Sequence, residues 1–187
     1  MQAGEVRRDD GTLARLARGG DRAAFSELVR RHQDEVFTLA LRLTADREMA
    51  ADVSQDAFVR AWRAIGRFRG DARFMTWMYR ITVNTAWSMR SRNRRLRTEP
   101  LEESAEPVAN GISPEAAGEA AHLRPHLIAA LAGLPPSTRA VVVLKDVYGW
   151  SHAEIAEDLG ITVTAAKVRL HRGRRRLAEV LVAEGGR

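Results

Sequence analysis

The sequence contains no cysteine among its 187 residues, which excludes disulfides, thiolate metal sites and thiol redox chemistry. It also has no long apolar run, since its most hydrophobic stretch, 127–134, falls far short of the roughly 20 residues that cross a bilayer. Residues 1–18 mix acidic and basic side chains without the apolar centre of a signal peptide. We therefore expect a cytoplasmic protein without membrane insertion.

The composition is that of a globular protein with a polyanionic partner. Hydrophobic residues make up 45% of the chain and charged residues 29%, unlike a disordered acidic chain or a membrane protein. The net charge of +6 and the pI of about 10.8 fit nucleic acid, because clustered Lys and Arg release counterions from phosphates. Basicity alone also fits ribosomal proteins and membrane-surface helices, so the arrangement of the charges must decide.

The hydrophobic pattern predicts an all-α fold of two small helical domains joined by a flexible linker. In the first half, Asp21 is placed to cap a long amphipathic helix. A second helix is expected over 46–65, ending at Gly66, and a third from near Asp71 into an arginine cluster. These helices would form the first domain.

A change in composition marks the linker. Residues 99–119 contain six glutamates and three prolines but no lysine or arginine, and proline breaks helices. The acidity fits a solubilising segment as well as a functional one. We place the first domain at 1–97, the linker at 98–118 and the second domain at 119–187.

The second domain is expected to begin with two helices, over 120–132 and from Pro136 to Gly149. A specific motif follows. Ser151 and Glu154 have the spacing of a capping box, and Trp150 and Ile155 can form the hydrophobic staple around it. This pattern specifies the start of a helix.

A second helix follows that one after a tight turn. Gly160 can adopt the left-handed conformation and Thr162 can cap the next helix, so the segment predicts a helix-turn-helix. On the second helix, four residues form an inward stripe: Ala166, Leu170, Gly173 and Leu177.

The opposite face of this helix is basic. Its outward and flanking residues include Thr164, Lys167, Val168, Arg169, His171, Arg172 and Arg175. Such a face matches a recognition helix that meets base edges in the major groove while arginines hold phosphates. The alternative is a solvated basic helix, but the turn, the caps and the buried stripe all favour DNA binding.

A second basic cluster ends the first domain. It comprises Arg90, Arg92, Arg94, Arg95 and Arg97, without an acidic residue among them. Aromatic residues precede the cluster, and cations beside aromatic rings suit unpaired nucleic acid. Most of those rings are expected in the core. Asn84 either satisfies a core hydrogen bond or reads a base edge.

Two blocks of sequence resemble the extracytoplasmic-function (ECF) group of bacterial RNA polymerase sigma factors. Residues 52–62 (DVSQDAFVRAW), 68–70 (FRG) and 74–84 (FMTWMYRITVN), with Arg94 and Arg95, are similar to sigma domain two. Residues 154–156 (EIA) and 165–174 (AAKVRLHRGR) are similar to sigma domain four. The chain departs from the commonest pattern at Ala166 and Val168, where many relatives have Val and Ser.

The resemblance implies a non-catalytic specificity subunit that binds core RNA polymerase and promoter DNA. The helix that carries Asp52, Gln55, Asp56 and Arg60 would dock on the clamp helices of the largest polymerase subunit. Domain four would read the minus-thirty-five duplex and touch the polymerase flap. The linker would run toward the active centre. Relatives are often held by an anti-sigma factor, which makes such a partner plausible here.

The resemblance also assigns the minus-ten contacts. Phe68 and Asn84 would shape a pocket for a flipped base, and the arginines from Arg90 to Arg95 would hold the phosphates beside it. Unstacking a base costs a few kcal/mol, so a shaped pocket can drive opening without ATP.

Two other classes of function fit the sequence less well. A stand-alone helix-turn-helix repressor or activator leaves the arginine cluster of the first domain unexplained. An enzyme would need a nucleophile, a phosphate-binding loop or a metal set, and none is evident. The pairs Asp52/Asp56 and His122/His126 lack further ligands. We therefore expect neither a metal nor a cofactor.

Overall fold

A computed structural model describes residues 8–70, 72–96 and 125–185, and the side chains of 8–70, 72–92 and 127–180. Every regular element in these ranges is helical, which confirms the predicted all-α fold. The predicted linker at 98–118 lies outside the described residues, as does Arg97.

The described residues of the N-terminal half, 8–70 and 72–96, form four α-helices. They are α1 (Asp10–Arg18), α2 (Arg22–Thr44), α3 (Arg47–Ala64) and α4 (Phe74–Leu96), with a 3-10 turn after α3. Asp9, Asp21 and Asp46 cap the first three, each accepting a backbone hydrogen bond three residues on at 2.9–3.0 Å. The cap at Asp21 is therefore confirmed, whereas α4 begins slightly later than predicted.

Residues 125–185, the part of the C-terminal half that the structure describes, form four more α-helices. They are α5 (Pro125–Ala132), α6 (Pro136–Val142), α7 (His152–Leu159) and α8 (Val163–Gly185). The β-branched run that follows Pro136 is helical, as predicted, but α6 continues into a π-helical turn over Val143–Val147. The part of the predicted helix over 120–132 that precedes Pro125 lies outside the described residues.

One core cluster of the N-terminal half is rich in aromatic rings. The ring centroids of Phe25 and Trp62 lie 5.0 Å apart, and those of Phe68 and Trp77 lie 5.2 Å apart. Helix α1, which the sequence analysis did not predict, adds buried Leu13 to this cluster. Through this buried side chain, α1 packs against the core of the N-terminal half.

The C-terminal half packs around α8. Gly173 is buried where α8 crosses α6, and a Cβ at this position would lie 2.5 Å from Val142 Cγ2 and 2.9 Å from Thr138 Cγ2. The absence of a side chain therefore allows the two helices to approach closely. Ala166 and Leu170 are buried on the same stripe, as predicted, and Leu177 is half-buried.

The two halves share a second core cluster. Its members from the N-terminal half include Leu39, Leu43 and Val83, and those from the C-terminal half include Leu134 and Leu159. Helices α5, α6 and α7 all contact α2 or α4. This packing could not be predicted from the sequence, because a local pattern does not show which distant helix will cover an apolar stripe.

Candidate nucleic-acid interfaces

Helices α7 and α8 form a helix-turn-helix with every predicted cap in place. Glu154 N donates to Ser151 Oγ at 3.2 Å and Ser151 N donates to Glu154 Oε2 at 2.9 Å, which completes the capping box. These hydrogen bonds with Ser151 lower the pKa of Glu154. Gly160 has φ of 63°, and Thr162 Oγ1 accepts from Ala165 N at 3.1 Å. The turn between the helices is therefore fixed at both ends.

The outward face of α8 is open to solvent. Thr164, Lys167, Val168, His171, Arg172 and Arg175 are exposed, and Arg169 is half-buried. Val168 is 43% exposed, so an aliphatic side chain lies among the basic ones. Such a contact suits the methyl group of thymine in a major groove.

Some cations of α8 are engaged within the protein. Arg174 Nε donates to Asp146 Oδ2 at 3.0 Å, and Arg175 Nε lies 3.6 Å from Glu179 Oε1. Within the described residues, no ion pair involves Lys167 or Arg172. Both can therefore contact DNA without breaking an ion pair of the fold.

A second candidate surface lies along α4. Asn84 is exposed, although Val83 and Thr85 on either side are buried. The sequence left two alternatives for this amide, a hydrogen bond in the core or a contact with a base edge. Its exposed position agrees with the second. Arg92 is also exposed and Arg90 is half-buried. The predictions for the side chains of Arg94 and Arg95 lie outside the described part.

Phe68 belongs to the aromatic core cluster of the N-terminal half. It is 8% exposed, and its ring contacts those of Trp77 and Phe74. In this conformation its side chain is part of the core. Its predicted contact with a flipped base stays a prediction.

A third surface lies on α3. Asp52 and Gln55 are exposed. Arg60 Nε donates to Oδ2 of Asp56, one helical turn earlier, at 2.9 Å. Val59, which the sequence analysis missed, is 41% exposed among these polar residues. An apolar residue on an otherwise polar helix face is visible in the sequence and could have indicated this surface. Such a mixture is typical of protein interfaces.

The described residues hold no group of three or more potential metal ligands, and none of their helices could span a membrane. The candidate sites are the surfaces on α3, α4 and α8. Two helical modules, one with a helix-turn-helix and the other with a basic helix end, define a DNA-binding transcription protein.

The comparisons with known proteins identify the family. A model described as Sigma-70 region 2 matches residues 28–96, and one described as Sigma-70, region 4 matches residues 126–177. The chain belongs to the ECF group of RNA polymerase sigma factors, the subunits that give the polymerase its promoter specificity.

Similar proteins come from several bacteria. The chain is 39% identical over 166 residues to the ECF RNA polymerase sigma factor SigE of Mycolicibacterium smegmatis, covering 87% of this chain and 64% of that relative. It is 36% identical to SigM of Mycobacterium tuberculosis, covering 95% of this chain and 87% of SigM. It is 34% identical to SigW of Bacillus subtilis, covering 87% of this chain and 91% of SigW.

A solved structure supports the same fold. CnrH, in complex with the cytosolic domain of CnrY, superposes with a TM-score of 0.59 at 31% identity. That match covers 93% of this chain and 97% of CnrH. The similarity therefore includes both halves of the molecule.

Proposed function

We propose that the chain recognises two promoter elements through separate surfaces, α8 for the minus-thirty-five duplex and α4 for the minus-ten element. The observation that carries this proposal is the pair of basic helical surfaces in one chain. The exposed face of α8 has the length and charge to enter a major groove. The exposed amide of Asn84 precedes a run of arginines on α4.

The minus-ten step would be driven by binding alone. Asn84 would hydrogen-bond a flipped base, and Arg90 and Arg92, with Arg94 and Arg95, would hold the phosphates beside it. Because unstacking costs a few kcal/mol, a small number of such contacts is enough to trap the open strand. In this account the protein is a non-catalytic subunit and makes or breaks no covalent bond.

The protein partners follow from the same assignment. The α3 surface of Asp52, Gln55, Asp56 and Arg60 would dock on the polymerase clamp helices, with Val59 adding apolar contact. The C-terminal half would touch the flap. These partners would place the protein in the cytoplasm. The complex of CnrH with the cytosolic domain of CnrY supports a further protein partner, an anti-sigma factor.

Replacing Asn84 with Ala tests the minus-ten assignment. We expect unchanged binding to core polymerase but a loss of promoter opening, measured by permanganate reactivity of unpaired thymines. Ser88→Ala is the matched control, because Ser88 is exposed on the same helix and its hydroxyl donates to the Asn84 carbonyl oxygen at 2.7 Å. Equal opening by the wild type and Asn84→Ala would contradict the role of Asn84.

A further inference from the structure

An ion pair links α8 to the turn that follows α6. Arg174 Nε donates to Asp146 Oδ2 at 3.0 Å, and Arg174 Nη2 donates to Asp146 Oδ1. The guanidinium therefore meets the carboxylate through two parallel hydrogen bonds, which is the strong, bidentate form of this contact. The two residues are 28 positions apart in the chain, so the fold, and not helical spacing, brings them together.

The backbone on both sides of this pair is held by the core. Asp146 lies in the π-helical turn over Val143–Val147, whose first two side chains are fully buried. Arg174 directly follows Gly173, where α8 makes its close approach to α6. Because both backbones are held, less conformational entropy is lost when this pair forms than when two mobile surface side chains meet.

Arg174 lies on the same side of α8 as Lys167. The two residues are seven positions apart, which is about 10 Å along the helix axis and a difference of only about 20° in direction around it. Both are exposed, but no ion pair involves Lys167 within the described residues. Of these two cations on one side of the helix, the carboxylate of Asp146 holds the second.

A DNA phosphate would compete with Asp146 for the same donors. Asp146 occupies the edge of the guanidinium that Nε and Nη2 form. Arginine binds phosphate through the same kind of edge, because its planar donors match carboxylate and phosphate alike. A phosphate must therefore displace Asp146, or contact the remaining nitrogen beside a negative charge that repels it. Either contact is weaker than one with an unpaired arginine.

The next two arginines of α8 are held less firmly. Arg175 Nε and Arg176 Nη1 each lie 3.6 Å from a carboxylate oxygen of Glu179, beyond hydrogen-bond distance. Exposed pairs of this kind contribute little, so Arg175 can exchange Glu179 for a phosphate, as its predicted place on the duplex-binding face requires. Among the described side chains of α8, Arg174 is the one that a carboxylate binds through hydrogen bonds.

We propose that Asp146 is an internal substitute for phosphate, which holds Arg174 and so limits the number of DNA phosphates that α8 contacts. Asp146 is thus a positioning residue that acts on DNA only through Arg174. This inference rests on the proposed binding of duplex DNA by α8. Each cation that contacts a phosphate releases a counterion and adds sequence-independent affinity. Asp146 keeps that affinity low, so that fewer molecules are held at the many competing sites of a genome.

Asp146→Asn tests this role, because it removes the charge with little change in shape and makes Arg174 available to phosphate. The measurement is the affinity of the full-length chain for a short labelled duplex of mixed sequence, by fluorescence anisotropy at several salt concentrations. The plot of log affinity against log salt should steepen by about 0.9 for one cation gained. Between about 50 and 200 mM salt, the affinity of this variant should therefore fall about threefold to fourfold more than that of the wild type.

Three variants separate the ion pair from the change in net charge. Glu157→Gln removes one negative charge at an exposed site on α7, where the described residues form no ion pair with Glu157, so the slope should not change. Asp146→Glu keeps the carboxylate and should keep the wild-type slope. Asp146→Asn combined with Arg174→Ala restores the wild-type net charge and should restore the wild-type slope. A structural role alone would not give this reversal, because the double variant also lacks the ion pair.

Lys167→Ala shows whether α8 is the surface that binds the probe, since loss of this cation should flatten the slope by about one. A flatter slope for Lys167→Ala with an unchanged slope for Asp146→Asn would contradict the role of Asp146 and leave duplex binding by α8 in place. An unchanged slope for Lys167→Ala would contradict the proposed duplex binding, and the inference with it.

Two further outcomes bear on Asp146 itself. A steep slope retained by the double variant would show that the additional phosphate contact does not come from Arg174, and would overturn the inference. An exposed ion pair contributes little to stability, so the circular dichroism of Asp146→Asn should match that of the wild type. Loss of helix content in this variant would show that Asp146 serves the fold, and would also overturn the inference.

Discussion

Gly173 offers a quantitative test of how α8 packs on α6. Replacing it with Ala places a methyl group 2.5 Å from Val142 Cγ2 and 2.9 Å from Thr138 Cγ2. Overpacking of this kind costs about 1–3 kcal/mol. Two contacts this short place the cost in the upper half of that range, about 2–3 kcal/mol. The better helix propensity of Ala returns about 1 kcal/mol, so we expect a net loss of about 1–2 kcal/mol. Urea unfolding measures this change in the free energy of unfolding.

The consequence for DNA binding follows from the same contact. If α8 must shift to relieve the overlap, affinity for the minus-thirty-five duplex falls as well. Gly66→Ala is the matched control, because no atom lies within 4 Å of a Cβ at that position. The urea concentration at the midpoint of unfolding should be unchanged or slightly higher for Gly66→Ala. A Gly173→Ala protein as stable as wild type would show that α6 and α8 are not packed as described.

Two further changes test the helix-turn-helix. Ser151→Ala removes the capping box and should lower the free energy of unfolding, measured by thermal unfolding, by about 1 kcal/mol. The pKa of Glu154 is lowered in the folded protein. The stability that the ionised Glu154 contributes is therefore present above its usual pKa and is lost as the pH falls through the lower pKa of the folded state. Arg172→Ala should weaken minus-thirty-five binding by about 1–3 kcal/mol if it reads a base, and an unchanged Kd in fluorescence anisotropy would make it a surface charge.

Local signals in the sequence were sufficient for much of the fold. The caps at Asp21, Ser151 and Thr162 and the left-handed Gly160 involve residues within four positions of each other, so spacing alone revealed them. The same holds for the recognition face of α8, because helical periodicity separates its buried stripe from its basic side.

Contacts between distant segments could not be predicted in this way. In the sequence Arg139 resembles any other basic residue, yet two of its four hydrogen bonds reach the end of α2, about 95 positions away in the chain. Phe68 shows the same difficulty, because a sequence motif does not reveal whether a ring points outward or into the core. Helix α1 was missed because its short apolar stripe becomes meaningful only against α2.

We propose that this chain directs RNA polymerase to promoters that contain two elements. The most direct measurement adds the purified chain to core polymerase on a genomic template and sequences the transcript starts. We expect new starts that share a minus-ten and a minus-thirty-five element at fixed spacing. No association with core polymerase, or association without any new start, would contradict it.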